Sequence, residues 1–124
     1  MTETAKRRCR VLLVEDEAMI AMLMEDMLDE LACEVVATVG QLELAMAAAD
    51  TGAFDVAFLD VNLGGVPVYP VADVLRGRGI PYAFVTGYGS AGGDLAHAAA
   101  PVLQKPFQAR DLAAVLLRLR AEQR

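Results

Sequence analysis

No apolar run in this chain approaches the roughly 18 consecutive residues that a membrane-spanning helix needs, so no membrane association is expected. Basic residues are in deficit: 11 lysines and arginines against 17 aspartates and glutamates leave a net charge of −6. Such a field repels phosphate backbones, which argues against direct nucleic-acid binding. Cysteine is scarce, and Cys9 and Cys33 lack metal-ligand spacing, so both are expected as reduced thiols in or near the core. The only histidine, His97, falls in a weakly helical segment and is expected at the surface rather than in a catalytic role. Met1 to Arg10 is basic but lacks the apolar core and cleavage site of a signal peptide, which points to a cytoplasmic protein. Linkers, repeats and low-complexity tracts are also missing. The 124 residues suit one domain after a short lead over 1–9, and no second domain is expected.

What is present is alternation. Short aliphatic and β-branched runs, Arg10–Glu15, Glu34–Val39, Phe54–Asp60, Tyr82–Thr86 and Val102–Gln104, are separated by segments of helical period. The helices are expected at Glu17–Ala32, Gln41–Asp50, Val68–Arg78, Gly92–Ala98 and Gln108–Glu122. Gly52, Gly77, Gly79 and Pro81 stand where helix-stop signals should, whereas Gly92 and Gly93 make the fourth helix weak. Strands as apolar as Val11–Val14 and Val56–Leu59 suit a parallel sheet covered on both faces. The fold class is a doubly wound α/β sandwich.

In open sheets of this kind the site lies outside the carboxyl ends of the strands. There the chain places Glu15 and Asp16 after the first strand, Asp60 at the end of the third, Thr86 at the end of the fourth and Lys105 after the fifth. Crowded carboxylates repel one another, and a hard divalent cation with oxygen ligands, Mg²⁺ above all, is their natural partner. Such an ion bridges to phosphoryl oxygens, a carboxylate can serve as nucleophile, and a lysine and a hydroxyl can neutralise and bind the equatorial oxygens. Taken singly, Asp16 and Glu17 could instead favour a helix N-terminus and Asp60 a turn. Their joint placement favours the site.

The motifs Val11-Leu-Leu-Val-Glu15-Asp16-Glu, Phe58-Leu-Asp60-Val-Asn62-Leu, Phe84-Val-Thr86-Gly and Lys105-Pro106-Phe107 together resemble bacterial response-regulator receiver domains over nearly the whole chain. The resemblance implies a five-stranded parallel sheet of flavodoxin-like order 2-1-3-4-5 with helices on both faces. By the same resemblance Asp60 is the phosphoacceptor, Asp16 a direct Mg²⁺ ligand, Glu15 an acidic partner acting through water and Asn62 a main-chain ligand. Thr86 and Lys105 would contact the phosphoryl group, which comes from a phosphohistidine of a sensor histidine kinase or histidine phosphotransfer protein. Phe84-Val85-Thr86-Gly87-Tyr88 is similar to the signature of the single-domain FAT-GUY receivers, with Val85 where alanine is usual. Val102 stands three positions before Lys105, where receivers commonly carry the aromatic residue that reports phosphorylation. Tyr88 is the candidate for another readout, or a loop tyrosine.

On the first helix Ile20, Leu23, Met24, Met27, Leu28 and Leu31 read as the core stripe. Met19 and Met22 lie off it. With Pro106 and Phe107 they suit an adaptable docking surface for the phosphohistidine donor, against the alternative of scattered surface hydrophobes. The Lys105–Pro106 bond is a candidate cis peptide. Two other functions use similar residues. An aspartyl-nucleophile phosphatase would carry a second aspartate where Asn62 stands, and an interaction module would not need the intact acidic set. The expected function is a phosphoacceptor switch rather than an enzyme, signalling to a downstream protein or draining phosphate from a relay.

Overall fold

A computed structural model of the chain describes residues 8–87 and 97–123. In chain order the elements are β1 (Cys9–Val14), α1 (Ala18–Glu30), β2 (Cys33–Val39), α2 (Leu42–Thr51), β3 (Val56–Asp60), β4 (Asn62–Leu63), β5 (Val66–Pro67), α3 (Tyr69–Arg78), β6 (Tyr82–Thr86), β7 (Val102–Gln104) and α4 (Ala109–Glu122). Five parallel strands form the main sheet in the order β2-β1-β3-β6-β7, the flavodoxin-like order expected from the resemblance. Most of the expected fourth helix, Gly92–Ala98, and the candidate switch residue Tyr88 lie outside the described residues.

The central strands are apolar throughout because each of their faces is covered. Alternate residues of β1, β3 and β6 divide between two cores. Cys9, Val11, Leu13, Val56, Phe58, Ala83 and Val85 pack with Met24 and Leu28 of α1 and with Leu112, Leu116 and Leu119 of α4. Leu12, Val14, Ala57, Leu59 and Phe84 pack with Ala45 and Ala49 of α2 and with Val71, Ala72 and Leu75 of α3. This two-faced burial leaves the carboxyl ends of the strands as the place where polar side chains gather.

Several expectations are corrected. Leu23, assigned to the core stripe of α1, is 47% exposed. At about 100° per residue it falls far from the centre of a stripe in which small Ala21 takes a buried place beside Met24 and Leu28. The third strand begins at Val56, and just before it the Asp55 carboxylate accepts the Arg10 backbone N–H at 2.8 Å. Helix α1 ends at Glu30, with Ala32 in the left-handed region at φ 63°. The hairpin β4–β5 was not expected. Gly64 and Gly65, with φ of 58° and 93°, form its two-residue turn, a conformation that favours glycine at both positions. Helix α4 starts in a capping box: Gln108 N–H donates to Asp111 Oδ2 at 2.8 Å, and the Gln108 side chain returns a bond to the Asp111 backbone.

Candidate functional site

The carboxyl ends of β1, β3 and β6, the β4–β5 turn and the segment after β7 surround an open recess of about 430 Å³. Its lining includes Asp16, Asp60, Asn62, Thr86 and Lys105. Ligand-capable oxygens of Glu15, Asp16 and Asp60 lie within 4.8 Å of one another. Glu15 and Asp60 are buried, whereas Asp16 is exposed. Lys105 Nζ stands among the acids, 3.5 Å from Glu15 Oε1, 3.6 Å from Asp60 Oδ2 and 3.5 Å from Glu17 Oε1. The structure therefore brings together the acids and the lysine that the motifs singled out.

Local backbone bonds aim these groups. Glu15 Oε2 accepts the Glu17 N–H at 3.1 Å, and Glu17, the residue before α1, makes no capping bond with its own side chain. The Glu17 carboxylate therefore does not cap the helix. Asp60 Oδ1 accepts the Asn62 N–H at 3.3 Å, while Asn62 Oδ1 accepts the Gly65 N–H at 2.6 Å and stabilises the turn. Thr86 is buried at the end of β6, and its carbonyl accepts the Lys105 N–H at 2.7 Å, tying the last two strands together at the recess. The Lys105–Pro106 bond is cis.

Electrostatics follow from burial. Desolvation pushes the Glu15 carboxyl up to about 7, helped by the charge of Asp60 beside it. Asp60 is also raised, again by desolvation, against the opposing effects of a hydrogen bond with Glu15 and the Lys105 charge. For Lys105, burial pulls downward, but Glu15, Asp60 and Glu17 together outweigh it and the ammonium is held above its ordinary value. Burial thus favours the protonated form of both carboxyls, Glu15 and Asp60.

Glu17 and Gly40 belong to this site although the motif reading gave them no role there. Glu17 is the third carboxylate on Lys105. A Cβ on Gly40 would come within 3.1 Å of Asp16 Cα and 3.2 Å of the Glu15 carbonyl, so glycine lets the end of β2 pass close to the acidic pair. The Gly64-Gly65 pair was the readable signal for the missed hairpin.

The expected docking surface is only partly exposed. Met19 and Met22 are 84% and 63% exposed, and Pro106 is exposed, but Phe107 is half-buried against the core shared by α1 and α4. His97 also departs from expectation: it is buried, at 3% exposure. Its Nε2 bonds Asp73 Oδ1 of α3 at 2.8 Å, its Nδ1 bonds the Tyr82 hydroxyl of β6, and its ring packs among Tyr69, Tyr82 and Phe84. A histidine whose two ring nitrogens both find partners can be buried at little cost.

Residues 11–117 match the family described as the response regulator receiver domain. No curated protein matches the chain. Among solved structures, SdrG from Sphingomonas melonis Fr1 is 44% identical, with a TM-score of 0.80 over 90% of this chain and 96% of that one. The BeF3-activated conformation of SdrG from Pseudomonas melonis Fr1 is 42% identical, with a TM-score of 0.76 over 89% of this chain and 94% of that one. The receiver domain of Erythrobacter litoralis PhyR is 24% identical and shares the fold, with a TM-score of 0.83 over 96% of this chain and 95% of that one.

Proposed function

The chain belongs to the response regulator receiver family, a family of phosphoacceptor switches, and from that premise we propose that Asp60 accepts the phosphoryl group of a phosphohistidine in a two-component phosphorelay. The observation that carries this reading is the convergence of the Glu15, Asp16 and Asp60 carboxylates on one recess with the Lys105 ammonium 3.6 Å from Asp60. An Asp60 carboxylate oxygen attacks phosphorus in line. The bond from phosphorus to the imidazole nitrogen breaks, and its electron pair stays with the donor histidine. Lys105 offsets the charge gathering on the phosphoryl oxygens, and the Thr86 hydroxyl donates a hydrogen bond to one of them.

The residues present fit a hard divalent cation. The donor set is all oxygen, and the buried Glu15 Oε1 makes no hydrogen bond, with only the Lys105 ammonium 3.5 Å away. Asp16 and Asp60, with Glu15 behind them and the Asn62 main chain beside them, would hold Mg²⁺. When bound, the ion supplies charge neutralisation and a coordination position for a phosphoryl oxygen.

The phosphorylated protein acts in the cytoplasm by binding a downstream protein or by draining phosphate from the relay. Exposed Met19 and Met22 on α1, with Pro106, form the surface that receives the helical donor. The resemblance between this chain and a relative described in a BeF3-activated conformation supports the same reading. The direct test is intact mass after incubation with a small phosphodonor and Mg²⁺. The parent should gain one phosphoryl group and Asp60→Asn none; equal labelling of both would remove Asp60 from its role.

A further inference from the structure

Cys9 and Cys33 are the only cysteines of the chain. They are register partners at the starts of the neighbouring parallel strands β1 and β2, and both side chains enter the same buried cluster. Adjacent strands lie about 4.8 Å apart, inside the Cα separation of roughly 4.4–6.8 Å that a disulfide spans. Both thiols are free, and the Cys33 thiol donates a hydrogen bond to the Leu31 carbonyl at 3.8 Å. Cys33, itself buried, borders a surface recess of about 330 Å³ together with Arg8, Glu25, Asp29 and Glu34, and this is the side, between α1 and β2, nearest to solvent.

We propose that Cys9 and Cys33 form a reversible redox-modification site, closed to an intramolecular disulfide by low-molecular-weight disulfides. The two sulfurs have different roles. The neighbouring Cys9 thiol, with the charges of Arg120 and Arg8, holds Cys33 below the ordinary thiol range. The Cys33 thiol beside it, with burial, holds Cys9 above that range. Cys33 thiolate attacks one sulfur of the reagent, forming a mixed disulfide and expelling the other half as a thiolate that takes up a proton. Cys9 then gives up its proton, and its sulfur attacks Cys33 Sγ, expelling the second half. One reagent disulfide is reduced to two thiols as two protein thiols are oxidised to one disulfide, so no further oxidant enters. The bond would join β1 to β2 and close a loop containing all of α1.

The test uses the full chain, folded in buffer, with cystamine as the reagent, whose cationic ends suit a recess carrying three acids and one arginine. After an acid quench without reductant, the intact mass should fall by two hydrogen atoms with no cystamine half attached. A non-reducing digest should join the Cys9 and Cys33 peptides. Cys9→Ser should stop one step earlier, with one cystamine half held on Cys33. The proposal is overturned if the folded parent keeps its mass under conditions where the urea-unfolded chain reacts. It is also overturned if adducts persist on either thiol of the parent, or if the product is a disulfide-linked dimer.

Discussion

At the scale of single residues, Asp60 shows how a functional group can oppose the fold that holds it. Two ionised carboxylates about 4 Å apart repel by about 4 kcal/mol at an effective dielectric near 20, and the recess answers with the Lys105 ammonium beside Glu15 and Asp60. Asp60→Asn keeps the shape and removes one charge. In chelator its thermal midpoint should rise above that of the parent, while added Mg²⁺ should stabilise the parent more than the variant, which has lost a ligand. Thermal melts in both conditions check this; a midpoint unchanged or lowered in chelator would mean Asp60 acts as an ordinary turn residue. His97 behaves in the opposite way. Its ring fills a buried aromatic site, and its nitrogens satisfy Asp73 and Tyr82. His97→Ala removes packing and hydrogen bonds together and should cost about 3 kcal/mol in urea unfolding, with phosphoryl uptake by the folded fraction unchanged. A loss below about 0.5 kcal/mol would show that the cluster contributes little.

At the scale of elements, α1 has one end at the recess and two faces of different use. Its N-terminus follows Glu15 and Asp16, and its inner face of Ala21, Met24 and Leu28 fixes it to the sheet. The outer face carries Met19, Met22 and Leu23, all exposed. Because Leu23 joins the methionines, the unpartnered apolar surface is broader than two residues, which strengthens the docking role proposed for it. Met22→Asp should slow phosphoryl transfer from the cognate kinase at least tenfold, a loss of about 1.4 kcal/mol, and leave labelling by a small phosphodonor intact. Kinetics with both donors separate docking from chemistry; equal slowing with both would place Met22 in the structure of the site instead.

For the whole molecule, burial of the acidic site couples stability to pH. Between the ordinary carboxylate range and about 7, the folded protein holds a proton on Glu15 that the unfolded chain has already released. Raising the pH through this window therefore removes stability, on the order of 3 kcal/mol, with the loss complete once the pH passes the folded value. The upward shift of Asp60 acts in the same direction. Denaturant unfolding in chelator from pH 5 to pH 8 should show this decline, and Glu15→Gln should flatten it. Mg²⁺ should flatten it as well, since the ion replaces the proton as the group that offsets the paired charges.

Much of this was legible along the chain. The alternation of short apolar runs with helical periods determined the layered α/β fold, because those periods are local and strands covered on both faces must be apolar throughout. The acids, the threonine and the lysine of the recess were readable because a parallel sheet delivers the ends of its strands to one edge. What only the tertiary structure decided depends on partners distant in sequence. His97 was expected at the surface because burial of a histidine depends on what meets its nitrogens, here Asp73 and Tyr82, which lie 24 and 15 residues away. Leu23 has the hydrophobicity of a core residue, yet how far α1 turns toward the sheet is set by packing around small Ala21. Lys105 was assigned to the site from its motif, but that it stands among three carboxylates, including Glu17, follows from where the segment after β7 passes the end of β1. Likewise, two scattered cysteines became facing neighbours only through the register of β1 on β2, which is set by the side chains of the whole ladder rather than by the residues beside either sulfur.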